Sequence, residues 1–327
     1  MTPRVTRKIR PNSYALIGPD KTQAPRRPPG PAIYNPPAVP VPVPPAPPAL
    51  RFIYLPSDAL TGVTLTVVAW CNDGARMLVT DYYTNVYAST DGYNWTQIGT
   101  IGTGGDVLAM AYGGGAYVAV GPGGVAYTST DAVTWTPGGT GVGSDHTCIV
   151  FGNGLFVAAS AADGTTVASS DSGASWSPGN TGLGTFGRNL AYGNSMFLGI
   201  AGANVVYSSD GLSWGVEAVV GTYFCAAYSP SLDLFSVRGA GGASATVQLG
   251  PVVVNESFPL VGSSQNGVDW GSGVFASCDT NGYVYTSTDG GNYVLAGQDP
   301  NPSNNYEQDI LAGLSGIFLV KESSPPT

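Results

Sequence analysis

Residues 169–176 read Ser169-Ser170-Asp171-Ser172-Gly173-Ala174-Ser175-Trp176, and this string returns in altered form along most of the chain. Each copy closes on an aromatic residue, and consecutive closing residues are 40, 41, 38 and 79 positions apart, the last step being about twice 39.5. A period of about 40 residues with strand-like flanks is typical of propeller blades. The double step predicts that one copy has decayed near residue 254. The closing residues are Trp95, Trp135, Trp176, Trp214 and Tyr293.

The chemistry of the repeated string predicts a tight turn. Ser and Asp side chains can accept hydrogen bonds from nearby backbone N–H groups, Gly tolerates positive φ, and the large aromatic can pack beneath the hairpin. We therefore interpret the carboxylates of the repeat as turn builders and not as catalytic groups: Asp91, Asp131, Asp171, Asp210 and Asp289.

These strings resemble the Asp-box, or BNR, repeats of the sialidase and sortilin-like superfamily, and most of all those in propeller domains of tailed-phage virion proteins. Residues 169–176 match the spacing Ser-x-Asp-x-Gly-x-Ser/Thr-Trp in full, whereas the other copies are one residue shorter and the copy ending at Tyr293 has lost its Trp. The resemblance implies a β-propeller whose repeats lie on outer hairpins, away from any catalytic centre.

The pattern predicts an all-β fold, a seven-bladed propeller of four-stranded antiparallel blades, over residues 50–327. Full units are predicted at 67–105, 106–145, 146–186, 187–223, 224–264 and 265–308. Two strands after residue 308 and two at 51–67 would complete a seventh blade in a two-plus-two closure, which removes open sheet edges. A six-bladed ring with loose ends is the alternative.

Residues 1–49 form a separate segment with a different composition. They contain 15 of the 26 prolines, and residues 1–30 carry seven Lys/Arg and one Asp, a net charge of +6 against −15 for the rest. Proline at this density disfavours helix and central strand, so we expect an extended arm without a core of its own. Its basic side chains predict attachment to another surface: Arg4, Arg7, Lys8, Arg10, Arg26 and Arg27.

Four widely spaced cysteines, Cys71, Cys148, Cys225 and Cys278, lack metal-binding spacing and are expected to be buried free thiols. We predict no metal site, no cofactor, no signal peptide and no membrane span.

Candidate catalytic residues are sparse. A sialidase would need clustered arginines, but the propeller has only Arg51, Arg76, Arg188 and Arg238. Another glycosidase would need two facing carboxylates, for which the loops offer Asp81, Asp145, Asp163, Asp279, Asp299 and Glu307. The single histidine, His146, has no nucleophile motif and is interpreted as a polar loop residue.

These observations favour a non-enzymatic structural protein of a phage particle, on capsid or tail. Residues 1–49 would bind other virion proteins, and contact of the basic arm with nucleic acid is a weaker alternative. The propeller would present a face for decoration or for adhesion to a host glycan or receptor, with candidate contacts Tyr82, Tyr83, Arg188 and Tyr306. A glycan hydrolase of sialidase-like fold and a soluble assembly factor remain alternatives.

Overall fold

A computed structural model describes residues 50–55, 69–102, 107–184, 186–187, 189–250, 252–257, 264–298, 307–313 and 316–322. The described residues all belong to one compact unit, residues 46–327. The predicted arm and the predicted strand at 63–67 lie outside the described residues.

This unit is the predicted seven-bladed propeller. Six sheets contain four antiparallel strands in consecutive order, and the seventh contains three described strands in the order β1-β27-β26. Each four-stranded sheet is one blade, running from an inner first strand to an outer fourth strand.

In chain order the strands of blades 1–3, preceded by β1, are β1 (Arg51–Leu55), β2 (Ala69–Asn72), β3 (Met77–Thr80), β4 (Asn85–Ser89), β5 (Thr96–Thr100), β6 (Ala109–Gly113), β7 (Ala116–Val120), β8 (Val125–Ser129), β9 (Thr136–Gly139), β10 (Cys148–Gly152), β11 (Leu155–Ala159), β12 (Thr165–Ser169) and β13 (Ser177–Asn180).

The strands of blades 4–6, followed by the two last strands, are β14 (Leu190–Gly193), β15 (Met196–Ala201), β16 (Asn204–Ser208), β17 (Gly215–Ala218), β18 (Tyr223–Ser229), β19 (Leu234–Gly239), β20 (Ser244–Gln248), β21 (Val253–Ser257), β22 (Gln265–Gly271), β23 (Val274–Asp279), β24 (Tyr283–Ser287), β25 (Val294–Gln298), β26 (Glu307–Ala312) and β27 (Ile317–Glu322). Short 3-10 turns at Pro122–Gly124 and Ala240–Gly242 join the second and third strands of blades 2 and 5.

Blade 7 is built from both ends of the propeller, as predicted, but with one difference. β26 and β27 pair antiparallel, whereas β1 pairs parallel with β27, with Arg51 opposite Ile317 and Leu55 opposite Lys321. The antiparallel pairing predicted for all strands of every blade therefore does not hold for β1. No hairpin joins β1 to β27, so no turn fixes its direction.

The core consists of seven apolar clusters, one in each space between neighbouring blades. Between blades 2 and 3, for example, Val118 and Val120 meet Phe156 and Val167. Each fully buried side chain of this size stabilises the fold by about 1.5–3 kcal/mol. Ile53 and Leu319 of blade 7 pack in one apolar cluster with residues of blade 1, and this contact closes the ring.

The two faces of the ring are defined by their contacts. One face carries the hairpins between first and second strands together with the serine-aspartate turns, since Asn153 Nδ2 of blade 3 donates to Ser209 O of blade 4 at 3.4 Å. We call it the turn face. The opposite face carries the turns between second and third strands, where Thr84 O accepts from Ile101 N at 2.8 Å. We call it the loop face.

Candidate functional site

The predicted contact residues Tyr82 and Tyr83 lie on the loop face of blade 1. Their side chains are 63% and 73% exposed, and their rings meet edge to face with centroids 5.8 Å apart. The loop beneath them is held by Asp81, which is buried and accepts from Asn85 N at 2.8 Å and Asn85 Nδ2 at 2.9 Å. The structure therefore places two exposed aromatic rings on a loop fixed by its own hydrogen bonds.

The other predicted contact residues, Arg188 and Tyr306, lie outside the described residues. So do the predicted anchoring residues Arg4, Arg7, Lys8, Arg10, Arg26 and Arg27.

The repeated strings form the turns between third and fourth strands. In blade 3, Asp171 Oδ1 accepts from Ser175 N at 2.8 Å, while Ser169 Oγ accepts from Gly173 N at 2.9 Å. Hydrogen bonds from the hydroxyl and N–H of Ser175 hold the pKa of Asp171 at about 2. Trp176 Nε1 donates to Gly173 O at 3.0 Å and closes the turn. Asp91, Asp131, Asp210 and Asp289 accept from backbone N–H groups in the same way.

A cavity of about 630 Å³ runs along the inner strands of all seven blades. In five consecutive blades, an aromatic residue near the end of the inner strand lines this cavity. The glycine that follows such an aromatic packs against the aromatic side chain of the next blade. Gly152, for example, faces Tyr192 so closely that a Cβ on Gly152 would overlap the ring. The five aromatics are Tyr112, Phe151, Tyr192, Tyr228 and Trp270.

Polar side chains in this channel cover backbone groups of the inner strands. An inner strand has a neighbour on one side only, so its other edge leaves N–H and C=O groups unpaired unless a side chain reaches them. Asn189 pairs with both groups of Ala226. At Ala312, Asp269 Oδ2 accepts from N at 2.7 Å and Asn72 Nδ2 donates to O at 3.1 Å. These contacts link blade 4 to 5, blade 6 to 7 and blade 7 to 1.

Two carboxyl groups give the channel its charge. The pKa of Asp269 is raised to about 7, mainly by burial and in part by the negative charge of Asp309, while hydrogen bonds from the N–H groups of Ala312 and Trp270 act in the opposite direction. Asp309 Oδ2 accepts from Trp70 Nε1 at 3.3 Å. The described residues that line the cavity include no Lys, Arg or His. The channel is therefore an acidic, partly aromatic cavity that suits a cationic group.

The described candidate acids of the loops are engaged locally. Asp163 accepts from Ser144 Oγ at 2.7 Å, Asp145 from Gly123 N at 2.7 Å and Asp279 from Tyr285 Oη at 3.0 Å, and Asp81 binds its own loop. The Ser144 hydrogen bond lowers the pKa of Asp163. Asp299 and the side chain of Glu307 lie outside the described residues.

The described arginines of the propeller are dispersed. Arg51 is exposed on blade 7, and Arg238 is buried in blade 5. Arg76 joins blades 1 and 2 by bonding Asp73 Oδ2 at 2.8 Å and Tyr117 Oη at 3.1 Å. Burial alone would raise the pKa of Asp73, but the hydrogen bonds from Tyr117 and Arg76 lower it overall. The structure does not bring these three arginines together.

The sequence predicts His146 to be a polar loop residue, and the structure agrees on the loop but shields the side chain from solvent. It lies in the link between blades 2 and 3, as expected, but its side chain is fully buried, and neither ring nitrogen has a hydrogen-bond partner. Burial lowers its pKa, although the charges of Asp163 and Asp145 act in the opposite direction. Burial therefore favours the neutral imidazole over the charged form.

The four cysteines, all within the described residues, are buried and form no disulfide, as predicted. Burial raises the pKa of the Cys148 thiol to about 12, so the thiolate is disfavoured. Among the described residues, no group of three or more His, Cys, Asp or Glu side chains converges as a metal site. No helix in the described part of the chain is long and apolar enough to cross a membrane.

Sequence reasoning missed the channel residues Asp269, Asn189 and Asp309. Asp269 directly precedes Trp270 in the aromatic-Gly pattern, at a position where the other blades carry small or aliphatic residues such as Ala111, Val150 and Ala227. An alignment of the internal repeats therefore contained a signal for Asp269.

Comparisons with known proteins agree with the fold. Residues 57–178 match the family model described as DUF6242 beta propeller domain, which is about a third of the chain. No curated protein matches the sequence.

Three similar solved structures have low sequence identity to this chain. A structure titled YCF48 bound to D1 peptide has a TM-score of 0.60 at 16% identity, covering 81% of this chain and 95% of that one. YCF48 from Cyanidioschyzon merolae gives 0.57 at 12% identity, covering 75% and 89%. Virginiamycin B lyase from Staphylococcus aureus gives 0.67 at 8% identity, covering 77% and 90%. This chain thus shares a seven-bladed β-propeller fold with these proteins.

Proposed function

We propose that this protein is a non-enzymatic structural component of a phage particle, attached through residues 1–49 and presenting the loop face of its propeller for decoration or for adhesion to host glycan. The observation that carries the binding part is the exposed pair Tyr82 and Tyr83. Tyrosine offers a large amphipathic contact area at low cost in conformational entropy. The Asp81 hydrogen bonds lower that cost further, because the loop is ordered before binding.

The attachment part rests on the composition of residues 1–49. A proline-rich segment of net positive charge buries little apolar surface by itself, so it gains order by lying along a partner. Residues 1–30 carry a net charge of +6 and the rest of the chain carries −15, so the two parts suit different partners.

The adhesion role is tested with the full chain carrying both Tyr82→Ala and Tyr83→Ala. We expect binding to host-cell polysaccharide, measured by glycan array and by adsorption to cells, to fall at least tenfold. The matched control is Tyr93→Ala, which removes a tyrosine that is 46% exposed in the serine-aspartate turn of the same blade, on the opposite face. Equal binding by all three proteins would contradict the role of the loop face.

The attachment role is tested by deleting residues 1–49. We expect a folded propeller that no longer co-purifies with assembled particles. Retention of the truncated chain on particles would show that attachment lies elsewhere.

A second candidate function is an assembly factor that takes a cationic peptide segment into the channel. It is favoured by the 630 Å³ cavity, whose described lining residues include Asp269 and Asp309 and contain no Lys, Arg or His. The similar structure of YCF48 is titled as bound to a peptide. An assembly factor would be absent from mature particles, whereas a virion protein would remain with them, so mass spectrometry of purified particles separates the two.

A further inference from the structure

Arg238 lies in the space between blades 5 and 6, at a position where other blades carry an apolar residue. It lies in β19, three residues after the buried Phe235, and its side chain is fully buried. Its pairing neighbour Cys225 belongs to the cluster between blades 5 and 6, so Arg238 points into that space as well. The residues at the same distance from the corresponding buried aromatic are Val120, Ala159, Ile200 and Cys278.

The guanidinium has few partners. Its Nη1 lies 3.4 Å from Gly242 O, and its Cζ lies 4.0 Å from the centre of the Tyr293 ring. Nε and Nη2 have no hydrogen-bond partner, and no carboxylate of the described residues forms an ion pair with Arg238. Burial lowers the pKa of Arg238, yet a guanidinium in a protein stays protonated. A positive charge is therefore enclosed, and no carboxylate of the described residues lies beside it as an ion-pair partner.

The two unpartnered nitrogens lie on one edge of the guanidinium. The Nε–H group and the neighbouring Nη2–H group point in the same direction, and this edge is the donor pair with which arginine binds anions in a bidentate manner. A buried unpaired charge costs several kcal/mol, whereas an anion on this edge offsets both the charge and the two unsatisfied donors.

The surroundings of Arg238 differ from the corresponding space in other blades. Ser236, on the same side of β19, stands where Val118 and Val157 stand in blades 2 and 3, and Tyr293 stands where the other serine-aspartate turns have Trp. Ser236 Oγ lies 2.7 Å from Tyr293 Oη. Polar residues have thus replaced apolar ones around the arginine, which favours a site that holds a charged group.

Gln265 Nε2, in the first strand of blade 6, is also buried without a hydrogen-bond partner, but it can be satisfied without a bound ion. Ser277 Oγ lies 2.8 Å from Gly267 O and 3.0 Å from Gln265 Oε1, but a hydroxyl carries a single proton. If that proton goes to Gly267 O, turning the Gln265 amide by 180° lets its nitrogen donate to Ser277 Oγ. Gln265 Nε2 is then satisfied within its own blade.

We propose that the Nε and Nη2 edge of Arg238 binds a small monovalent anion, chloride in halide solutions, between blades 5 and 6. The complete burial of the side chain restricts the ligand to a small ion. Such an anion neutralises Arg238 and joins the two blades, so it belongs to the folded state and is released on unfolding.

The decisive experiment replaces chloride by bromide. The full chain is unfolded and refolded in bromide without chloride and then crystallised, and an anomalous difference peak is expected next to Arg238 Nε and Nη2. A water molecule at that place, or a carboxylate of the chain itself, would overturn the proposal.

A solution test uses the dependence of stability on chloride. At constant ionic strength, with gluconate replacing chloride, we expect the melting temperature to rise with chloride concentration in the wild type and not in Arg238→Met. The control Arg76→Met removes an arginine that has its own carboxylate partner and should keep the chloride dependence. Because the readout is the dependence on chloride, it holds even if Arg238→Met changes the basal stability. Equal dependence in the wild type and Arg238→Met would refute the site.

Discussion

Asn189 of blade 4 pairs its side-chain amide with both backbone groups of Ala226 in blade 5, accepting from N at 2.9 Å and donating to O at 3.1 Å. The contact substitutes for a missing neighbouring strand at the inner edge of blade 5. It shows how the channel is lined by side chains that stabilise the ring itself.

Replacing Asn189 by Ala is therefore expected to lower the free energy of unfolding by about 1–3 kcal/mol, because two backbone groups lose their partner. Urea denaturation measures the change. The control Asn255→Ala removes an exposed amide from the outer strand β21 and should change stability by less than about 0.5 kcal/mol. Equal effects of the two substitutions would contradict the role of Asn189.

Ser236 and Tyr293 should be energetically coupled. Ser236 Oγ lies 2.6 Å from Gly290 O and 2.7 Å from Tyr293 Oη, all buried. Ser236→Ala should cost about 1–3 kcal/mol, since it leaves Gly290 O and Tyr293 Oη without this partner, whereas Tyr293→Phe should cost about 0.5–1.5 kcal/mol, since Ser236 Oγ keeps its bond to Gly290 O. The double variant should cost less than the sum, by about 0.5–2 kcal/mol in a denaturation cycle. Strict additivity would show that the two hydroxyls act independently.

Asp269 should make the fold less stable as pH rises towards neutrality. Its pKa is about 7 in the folded state against 3.8 in the unfolded chain, so the folded state holds the proton more tightly. That stabilisation is present below about pH 4 and is lost as pH rises through about 7. Relative to wild type, Asp269→Asn should therefore gain up to a few kcal/mol between pH 5 and pH 8.

Thermal unfolding across this pH range checks the prediction for Asp269. Asp163 is the matched control, because the pKa of Asp163 is lowered from its ordinary value of 3.8, so its titration lies below pH 5 and Asp163→Asn should show no trend relative to wild type between pH 5 and pH 8. The same trend in both variants would be evidence against the assignment.

His146 should have the opposite effect, destabilising the fold in acid. Burial lowers its pKa below 6.5, so the unfolded chain binds the proton more readily as pH falls. Wild type is expected to lose stability below about pH 6.5, whereas His146→Leu lacks this loss. The free energy of unfolding of His146→Leu relative to wild type should therefore be about 1 kcal/mol or more higher at pH 5 than at pH 7.5. Melting temperatures of wild type and His146→Leu at the two pH values measure this difference. An equal change of melting temperature in both proteins would refute the prediction.

Much of the fold followed from the sequence because the repeat is local. The spacing of Trp135, Trp176 and Trp214 located the blades, and the Gly after Tyr112 or Phe151 marked each inner hairpin. The direction of β1 did not follow, because its partner β27 comes from the far end of the chain and no turn connects them.

The interior polar groups were harder to predict. Arg238 and His146 belong to residue types that are mostly exposed, and nothing local to their sequence indicates that the neighbouring blade covers them. Asp269 and Asn189 act on edges of adjacent blades, so their role depends on contacts between segments tens of residues apart. The exposed loop position of Tyr82 was easier to predict, because Tyr82 lies in a short connection between two strands.

The parallel pairing of β1 with β27 has a consequence for biosynthesis. β1 leaves the ribosome more than 250 residues before its partner, so the nascent propeller carries an open sheet edge until the last strand is made. Closure of this long loop is a late and slow step, during which the exposed edge can pair with another chain. A ribosome that stalls before Ile317 would release a molecule prone to aggregation.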